Sequence, residues 1–307
     1  MLDLDHNATT PLDDRVRAAM IELLGDPALD GNPSSVHGRG RRARALVEDA
    51  RRALATAVGA EPLGVTFTSG GTEADALAIM GGCRALRRAG RPCGLLTSTI
   101  EHPAVLGAGE RLAAEGVFRV LIEPDGLGRI EAEAVVAALR AHPEVGLLSL
   151  ATANHELGNV YDIPAIVAAV RSLDRELLVH SDAVQAFGKV PVDFAAADLD
   201  LMSVSSHKIY GPKGVGALIH RPHLQLEPLW IGGSQERGRR VGTEAVPAIH
   251  GFGVAAGLLG DELGERRRRI AAAFARLLPG LLAIPGARRW GDPERHLGNT
   301  ALVGFDG

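Results

Sequence analysis

Residues 205–214 read Ser205-Ser206-His207-Lys208-Ile209-Tyr210-Gly211-Pro212-Lys213-Gly214, and they follow directly on the apolar segment 199–204. A short apolar run of this kind predicts a buried strand, and ligands of open α/β sheets bind outside the carboxyl ends of such strands. A lysine amine with a lowered pKa is a nucleophile that forms Schiff bases with carbonyl compounds. Lys208 is the candidate for that chemistry. A lone lysine is more often exposed to solvent, as Lys213 is expected to be.

A second polar group ends another apolar run, in the sequence Leu177-Leu178-Val179-His180-Ser181-Asp182-Ala183-Val184-Gln185-Ala186. An aspartate at a strand end more often caps a helix or forms a turn. Asp182 can also keep a pyridine nitrogen protonated, which pyridoxal enzymes need because the protonated ring stabilises a carbanion. Lys208 after the next strand favours this second interpretation. The pair therefore predicts pyridoxal 5'-phosphate as the cofactor.

The phosphate of such a cofactor needs an anion site, and one is predicted in Val65-Thr66-Phe67-Thr68-Ser69-Gly70-Gly71-Thr72-Glu73-Ala74. This segment runs from a strand through a glycine turn to a hydroxyl and a helix start. Gly70 and Gly71 allow close approach of a ligand and a positive φ, and Thr72 can cap the helix or donate its hydroxyl. The N-terminus of a helix favours negative charge. The same pattern without a ligand is an ordinary helix cap, so both interpretations stay open on this segment alone.

Further stretches carry a resemblance to a known family. They are Leu4-Asp5-His6-Asn7-Ala8-Thr9-Thr10-Pro11, Gly31-Asn32-Pro33-Ser34-Ser35-Val36-His37, Glu101-His102-Pro103-Ala104-Val105, Asn154-His155-Glu156-Leu157-Gly158, Gly232-Gly233-Ser234-Gln235-Glu236-Arg237 and Arg240-Val241-Gly242-Thr243-Glu244. Together with the segments above, they run in family order to about residue 306. The chain resembles a cysteine desulfurase of the NifS/IscS type, in the class V aminotransferase group of fold-type I pyridoxal-phosphate enzymes.

The resemblance implies a role for each residue around the cofactor ring. Lys208 would be the Schiff-base lysine and Asp182 the partner of the pyridine nitrogen. Gln185 would hydrogen-bond the ring hydroxyl, and His102 would stack on the ring and assist proton transfer. Asn154 would lie near the ring hydroxyl and the substrate. In isolation, His102 and Asn154 would be interpreted as a structural histidine and a turn asparagine.

The resemblance also implies how the phosphate is held. Thr72, Ser205 and His207 would bind it together with the backbone of Gly71. In this family Thr243 reaches the phosphate from the other subunit, so a homodimer is implied as well.

Two neighbours of these residues depart from the family pattern, since His155 stands where relatives commonly carry Asn and Val241 where Ser or Gly is usual. Relatives also continue beyond the position of Gly307, and that part carries a mobile loop with the catalytic cysteine and an arginine that binds the substrate carboxylate. We therefore expect a truncated chain, or a second polypeptide that supplies the missing part.

The chain has two cysteines, and neither matches the nucleophile of the family. Cys83 lies on the apolar face of a predicted helix, where it is expected to be a small buried residue. Cys93 lies in a turn before a strand. The cysteines have no metal-ligand spacing, and they make no disulfide framework, so a reducing, cytoplasmic setting is predicted.

Composition agrees with a soluble enzyme. Of 307 residues, 46% are hydrophobic and 23% charged, and the net charge is −4, from 33 basic and 37 acidic residues. Neither a nucleic-acid partner nor a membrane is indicated, and the acidic start resembles no signal peptide. The basic cluster Arg266–Arg269 is expected to form the solvent face of a long helix, with Glu262 and Glu265 nearby.

The order of elements predicts an α/β fold, the pyridoxal-phosphate-dependent transferase fold, with a mostly parallel seven-stranded sheet covered by helices. Seven apolar runs are predicted strands, at 65–68, 95–98, 117–122, 145–151, 177–181, 199–204 and 215–219, and residues 39–59 are a predicted helix. A helical tract over 246–282, broken near Gly257 and Gly260, is followed by an isolated strand at 300–305. The predicted domains are an arm (1–15), a large cofactor-binding domain (16–245) and an incomplete small α+β domain (246–307).

The resemblance predicts conversion of L-cysteine to L-alanine, with the sulfur passed to an enzyme cysteine as a persulfide. The sulfur would supply iron–sulfur clusters or other sulfur-containing products, through an acceptor or scaffold protein. Two alternatives use the same Lys208 and Asp182: a selenocysteine lyase or other β-lyase, and an aminotransferase. A third, from a different class, is a non-catalytic scaffold for a sulfur-transfer partner.

Overall fold

The computed structural model describes residues 3–306. Its helices are α1 (Asp14–Gly25), α2 (Gly38–Ala57), α3 (Gly71–Ala76), α4 (Gly82–Arg88), α5 (Pro103–Ala114), α6 (Ala132–Ala141), α7 (Ile163–Arg171) and α8 (Val246–Leu282). Its strands are β1 (Val65–Thr68), β2 (Gly94–Ser98), β3 (Arg119–Ile122), β4 (Val145–Ala151), β5 (Leu178–Asp182), β6 (Leu201–Ser205), β7 (Gly216–His220), β8 (Ala287–Trp290) and β9 (Leu302–Phe305). A π-helical turn, Leu77–Gly81, joins α3 to α4, and short 3-10 turns cover Pro62–Gly64, Ser206–Lys208 and Gln235–Gly238.

The first seven strands form one mixed sheet in the order β1-β7-β6-β5-β4-β2-β3. β7 runs antiparallel to its neighbours β1 and β6, and the other pairs are parallel. β4, β5 and β6 are buried along their whole length. Strands covered on both faces read as continuous apolar runs, which is why the sequence predicted them. The α/β fold with a mostly parallel seven-stranded sheet is confirmed.

Different helices cover the two faces of the sheet. Successive strand residues point to opposite faces, and Leu147 and Leu148 accordingly belong to two separate apolar clusters. The cluster around Leu148 includes residues of α2, α6, α7 and α8, and the cluster around Leu147 includes residues of the tract from α3 to α5. The sheet is thus the middle of three layers, with its strand ends free to build a site.

The long helix differs from the sequence expectation. The predicted break near Gly257 and Gly260 is wrong, because α8 is continuous from Val246 to Leu282. A glycine in a helix costs about 1 kcal/mol relative to alanine. Burial of Phe252, Ala256 and Leu259 in the core offsets that cost here.

The expectation of an isolated C-terminal strand is also wrong. β9 pairs antiparallel with β8, with Arg289 opposite Val303 and Trp290 opposite Leu302. β8 was not predicted from the sequence because Ala-Arg-Arg-Trp has no apolar alternation. Its residues are only partly buried or exposed. The predicted division into three domains stays a prediction, and its residues 1, 2 and 307 lie outside the described part of the chain.

Two ion pairs connect the segment 236–240 to the helices α2 and α3. The Arg51 guanidinium donates to both carboxylate oxygens of Glu236, at 2.7 and 2.8 Å, and the two side chains are only 4% and 2% exposed. Glu236 also accepts a hydrogen bond of 2.9 Å from the Phe67 backbone N–H. Nearby, Arg240 Nε donates to Glu73 Oε1 at 3.0 Å. These contacts hold the loop of residues 236–240 against the glycine turn of residues 69–71, which is distant from it in sequence.

The basic cluster lies on α8 as predicted. Arg266 pairs with Glu262 at 2.7 Å, and Arg268 pairs with Glu265. The Arg268–Glu265 pair is exposed, and such pairs contribute at most about 1 kcal/mol.

Candidate active site

Strand ends and a helix N-terminus enclose a cavity of about 220 Å³. Because β4, β5 and β6 are parallel, their carboxyl ends meet at one edge of the sheet. The start of α3 faces the same edge. The lining residues are Gly71, Thr72, Asp75, His102, Ala151, Ala153, His155, Asp182, Val184, Gln185, Ser205, His207 and Lys208. Eight of the ten site residues predicted from sequence are therefore brought together, all except Asn154 and Thr243.

Lys208 directs its amine across the cavity to the N-terminal arm. Its Nζ donates to the backbone carbonyl of Ala8 at 2.9 Å and to that of Asn7. Burial lowers the pKa of Lys208, and the negative charges of Asp182 and Asp5 partly offset this effect. A lowered pKa makes a lysine amine a better nucleophile and base near neutral pH.

Asp182 ends β5 and is 6% exposed. Its Oδ1 accepts a 2.8 Å hydrogen bond from the Val184 N–H. Burial raises the pKa of Asp182, whereas that hydrogen bond and the charges of His102 and Lys208 lower it. A buried carboxylate needs a cationic or hydrogen-bonding partner, so the site suits a protonated ring nitrogen.

Two further buried acids lie close to Asp182. Burial raises the pKa of Glu101 to about 8, and it raises the pKa of Asp75 well above its ordinary value, with the charge of Asp182 adding to both shifts. Glu101 Oε1 accepts a 2.7 Å hydrogen bond from Ser98 Oγ. Glu101 is therefore mainly protonated at neutral pH, and burial likewise disfavours the charged form of Asp75.

The proposed phosphate end of the cavity is built from backbone and hydroxyl groups. Ser205 Oγ is buried and has no hydrogen-bond partner among residues 3–306. A Cβ added at Gly71 would lie 2.7 Å from Val184 Cγ2, so only glycine fits there. Neither glycine adopts the left-handed conformation that it allows, because Gly70 is extended (φ 162°) and Gly71 is helical. An orphaned buried hydroxyl beside a helix N-terminus fits a bound phosphate.

His207 and His102 are neutral at pH 7. Burial, followed by the charge of Lys208, lowers the pKa of His207 to about 4, and its Nδ1 lies 3.1 Å from Thr9 Oγ1. Burial also lowers the pKa of His102, whose Nδ1 accepts a 3.1 Å bond from Ala104 N–H as the cap of α5. The proton of neutral His102 is therefore on Nε2.

Two predicted site residues do not line the cavity. The Asn154 side chain is engaged in the turn that follows β4, where it donates to the Ile100 carbonyl at 2.7 Å and accepts from two backbone N–H groups. Thr243 is exposed on the loop after Arg240. Their roles toward the cofactor stay predictions.

Several residues of the site were not assigned a role from the sequence. Asp75 lies one helical turn after Thr72, and its Oδ1 has no hydrogen-bond partner among the described residues. His155 packs edge-on against His102, with ring centroids 5.1 Å apart. Lys189 lies four residues after Gln185 and contacts it. For Asp75 the i+3 spacing from Thr72 was the available signal, since such residues share a face of α3.

His180 is buried behind the cavity, and its charge state should affect stability. Its ring nitrogens lie 2.9 Å from Ser149 Oγ and Ser203 Oγ, and burial lowers its pKa to about 3. Between pH 6.5 and 3 the unfolded chain binds a proton that the folded chain does not, so stability falls as pH falls. Relative to His180→Gln, the wild type should lose about 3 kcal/mol of unfolding free energy between pH 7 and pH 4.

Urea unfolding at several pH values measures this difference. The matched control is His223→Gln, since His223 is exposed, and its stability curve should run parallel to that of the wild type. A parallel curve for His180→Gln would contradict the prediction.

Neither cysteine lines the cavity. Cys83 is fully buried, and burial raises the pKa of its thiol to about 12. Cys93 is partly buried, before β2. In the described part of the chain no cluster of three or more His, Cys, Asp or Glu side chains could hold a metal ion, and no helix between residues 3 and 306 has the length and apolar character to span a membrane.

Comparison with known proteins assigns the chain to a family. The model of the aminotransferase class-V family matches residues 3–307, so the chain belongs to the class V aminotransferase family. Its relatives there include a cysteine desulfurase from Cereibacter sphaeroides, 45% identical over 99% of this chain and 76% of the relative. They also include a mitochondrial cysteine desulfurase from Arthroderma benhamiae, 41% identical over 98% of this chain and 59% of the relative. Within its family, the chain thus groups with the cysteine desulfurases, and the lyase, aminotransferase and scaffold alternatives are not favoured.

Solved structures agree with this assignment. A NifS-like protein superposes with a TM-score of 0.93 at 34% identity, over 98% of this chain and 81% of that protein. SspA in complex with cysteine superposes with a TM-score of 0.86 at 31% identity, over 100% of this chain and 84% of that protein. The fold predicted from sequence is that of these neighbours.

Proposed function

We propose that the cavity binds pyridoxal 5'-phosphate and that the protein acts on L-cysteine as a desulfurase. The observation that carries the proposal is the convergence of Lys208, Asp182 and the unpartnered Ser205 hydroxyl on one cavity, at the ends of neighbouring strands. These groups match an aldehyde, a pyridine nitrogen and a phosphate. Gly71, Thr72 and His207 would complete the phosphate site, and Gln185 would face the ring hydroxyl.

The residues of the chain then have distinct tasks. The bound cofactor supplies an electron sink that acidifies the Cα–H of an amino acid. Lys208, with its lowered pKa, would hold the cofactor covalently and would serve as the base for the Cα proton of a bound amino acid. Asp182 would keep the ring nitrogen protonated. Neutral His102, which carries its proton on Nε2 and lines the cavity, would stack on the ring and donate or accept a proton at the substrate.

The proposed reaction breaks the Cβ–S bond of L-cysteine and transfers the sulfur to a thiolate. An S–S bond forms, so the products are L-alanine and a persulfide, and the net proton count is unchanged. The complex of the similar SspA with cysteine supports cysteine as the substrate class. We propose that an acceptor protein passes the sulfur to iron–sulfur clusters or other products, in the cytoplasm. A homodimer in which exposed Thr243 serves the partner's phosphate site belongs to the same proposal.

Cofactor titration tests the first part of the proposal. Adding pyridoxal phosphate to the protein should produce a visible absorption band that borohydride reduction fixes covalently. Adding L-cysteine in D₂O should then cause exchange of the Cα proton, measured by NMR or mass spectrometry. A protein that yields no visible band with the cofactor would refute the proposal.

The positions of the cysteines give a further prediction. Since Cys83 and Cys93 do not line the cavity, neither is expected to be the thiol that receives the sulfur. The double variant Cys83→Ala/Cys93→Ala should keep the cofactor band and a Cα exchange rate within about twofold of the wild type. Mass spectrometry of wild-type peptides after incubation with L-cysteine should find no persulfide at either position. A persulfide on Cys93 would contradict the assignment.

A further inference from the structure

A second lysine contacts the site from behind and has no role in the mechanism above. Lys189 follows β5 by seven residues and donates from Nζ to Gln185 Oε1 and, at 3.0 Å, to Asn7 Oδ1. Burial, followed by the charge of Lys208, lowers its pKa to about 7. Burying an amine costs free energy unless the amine is hydrogen-bonded or paired with a charge.

The contacts of Gln185 show what Lys189 can do. The two ends of the Gln185 amide have different partners: Oε1 accepts from Lys189 Nζ, and Nε2 donates to the Asn7 backbone carbonyl at 2.9 Å. The amine of Lys208 donates to the same Asn7 carbonyl. The N–H end of the amide and the reactive amine therefore converge on one atom, and Lys189 contacts the opposite end.

Rotating the amide by 180° would reverse both contacts. Nε2 would then face the Lys189 amine, so that two donors meet, and Oε1 would face the Asn7 carbonyl, so that two acceptors meet. An ammonium has no acceptor, so Lys189 enforces the observed orientation most strongly when it is protonated. Asn7 is itself held, because its Nδ2 donates to Thr300 Oγ1 at 2.8 Å and its Oδ1 accepts from Asn299 at 3.0 Å.

We propose that Lys189 is a positioning residue that fixes the Gln185 amide with its N–H end toward the cofactor ring hydroxyl. The inference rests on the proposed binding of pyridoxal phosphate. An N–H donor stabilises the ring oxygen as an anion, and this lowers the pH at which the imine proton of the bound cofactor is lost. Without Lys189 only the Asn7 carbonyl opposes rotation of the amide, and the carbonyl end of the amide meets the ring oxygen part of the time.

The test is the pH titration of the visible band in the cofactor-loaded protein. Lys189→Met should raise the midpoint by about one pH unit, the size expected for one hydrogen bond to a charged group. Gln185→Leu should raise it by a similar amount. If Lys189 acts through Gln185, the double variant should titrate like Gln185→Leu alone. The control Lys213→Met, which removes an exposed lysine, should leave the midpoint unchanged.

Each outcome decides between named alternatives. Additive shifts in the double variant would show that Lys189 acts by its charge alone, and an unshifted Lys189→Met would show that it does not orient the amide; either result overturns the inference. Should Lys189→Met not fold, Gln185→Glu serves instead, because it keeps an oxygen toward Lys189 and replaces the N–H donor with a carboxylate oxygen. It should also raise the midpoint, and an unchanged midpoint would overturn the inference. A wild type without a visible band would instead refute the proposed cofactor.

Discussion

Replacing Lys208 with alanine is expected to abolish covalent attachment of pyridoxal phosphate and to slow exchange of the substrate Cα proton by about a thousandfold or more. The variant loses the amine that forms the imine and, with it, the base nearest the Cα proton. Asp182, Ser205 and His207 remain, so the cofactor should still bind non-covalently. The measurements are borohydride reduction followed by peptide mass spectrometry, and deuterium exchange of L-cysteine or L-alanine.

Lys213→Ala is the matched control, since Lys213 belongs to the same segment but is exposed. It should keep covalent attachment and an exchange rate close to that of the wild type. Borohydride labelling of a peptide without Lys208, or rapid exchange in Lys208→Ala, would show that another residue carries the chemistry.

Replacing Glu236 with alanine is expected to lower the free energy of unfolding by about 3 to 5 kcal/mol, the usual cost of leaving one partner of a buried ion pair uncompensated. The Arg51 guanidinium would stay in a nearly solvent-free position, with its bond to the Val65 carbonyl at 2.6 Å as a remaining contact. The Phe67 N–H would lose its acceptor in the same step. Denaturant unfolding of the cofactor-free protein at pH 7 measures the effect.

Glu48→Ala provides the comparison, because Glu48 pairs with the same Arg51 at 3.2 Å but is 38% exposed. Solvent screens that pair, so the loss should be less than about 1 kcal/mol. Equal losses in the two variants would contradict the assignment of Glu236 as the buried partner.

The same substitution should affect the site. Since Glu236 holds the segment 236–240 near the glycine turn, Glu236→Ala should also weaken cofactor binding.

The sheet and the reactive centre could be predicted because their signals are local. Strands covered on both faces have continuous apolar sequences, and the polar residue that ends such a strand lies at the ligand-binding edge of a parallel sheet. Asp182 and Ser205 end β5 and β6 in this way, and Lys208 follows in the next turn. Family resemblance added the roles of individual residues, which strand patterns do not carry.

Tertiary structure decided the features that depend on contacts between distant residues. β8 has no apolar alternation of its own and exists because β9 pairs with it. α8 continues through Gly257 and Gly260 because the core packs against its buried face. Glu236 is a loop residue in sequence, and only folding gives it Arg51 as a partner.

The same division holds inside the site. The residue order alone predicted a lysine, a ring-nitrogen partner and a phosphate cradle, since each of these lies beside a recognisable strand or helix end. The orientation of the Gln185 amide depends instead on Lys189, on the N-terminal arm at Asn7 and on a segment near Thr300 that holds the arm. These groups are up to 293 residues apart. Hydrogen-bond geometry between such distant groups has no periodicity along the chain, so only the folded structure could establish it.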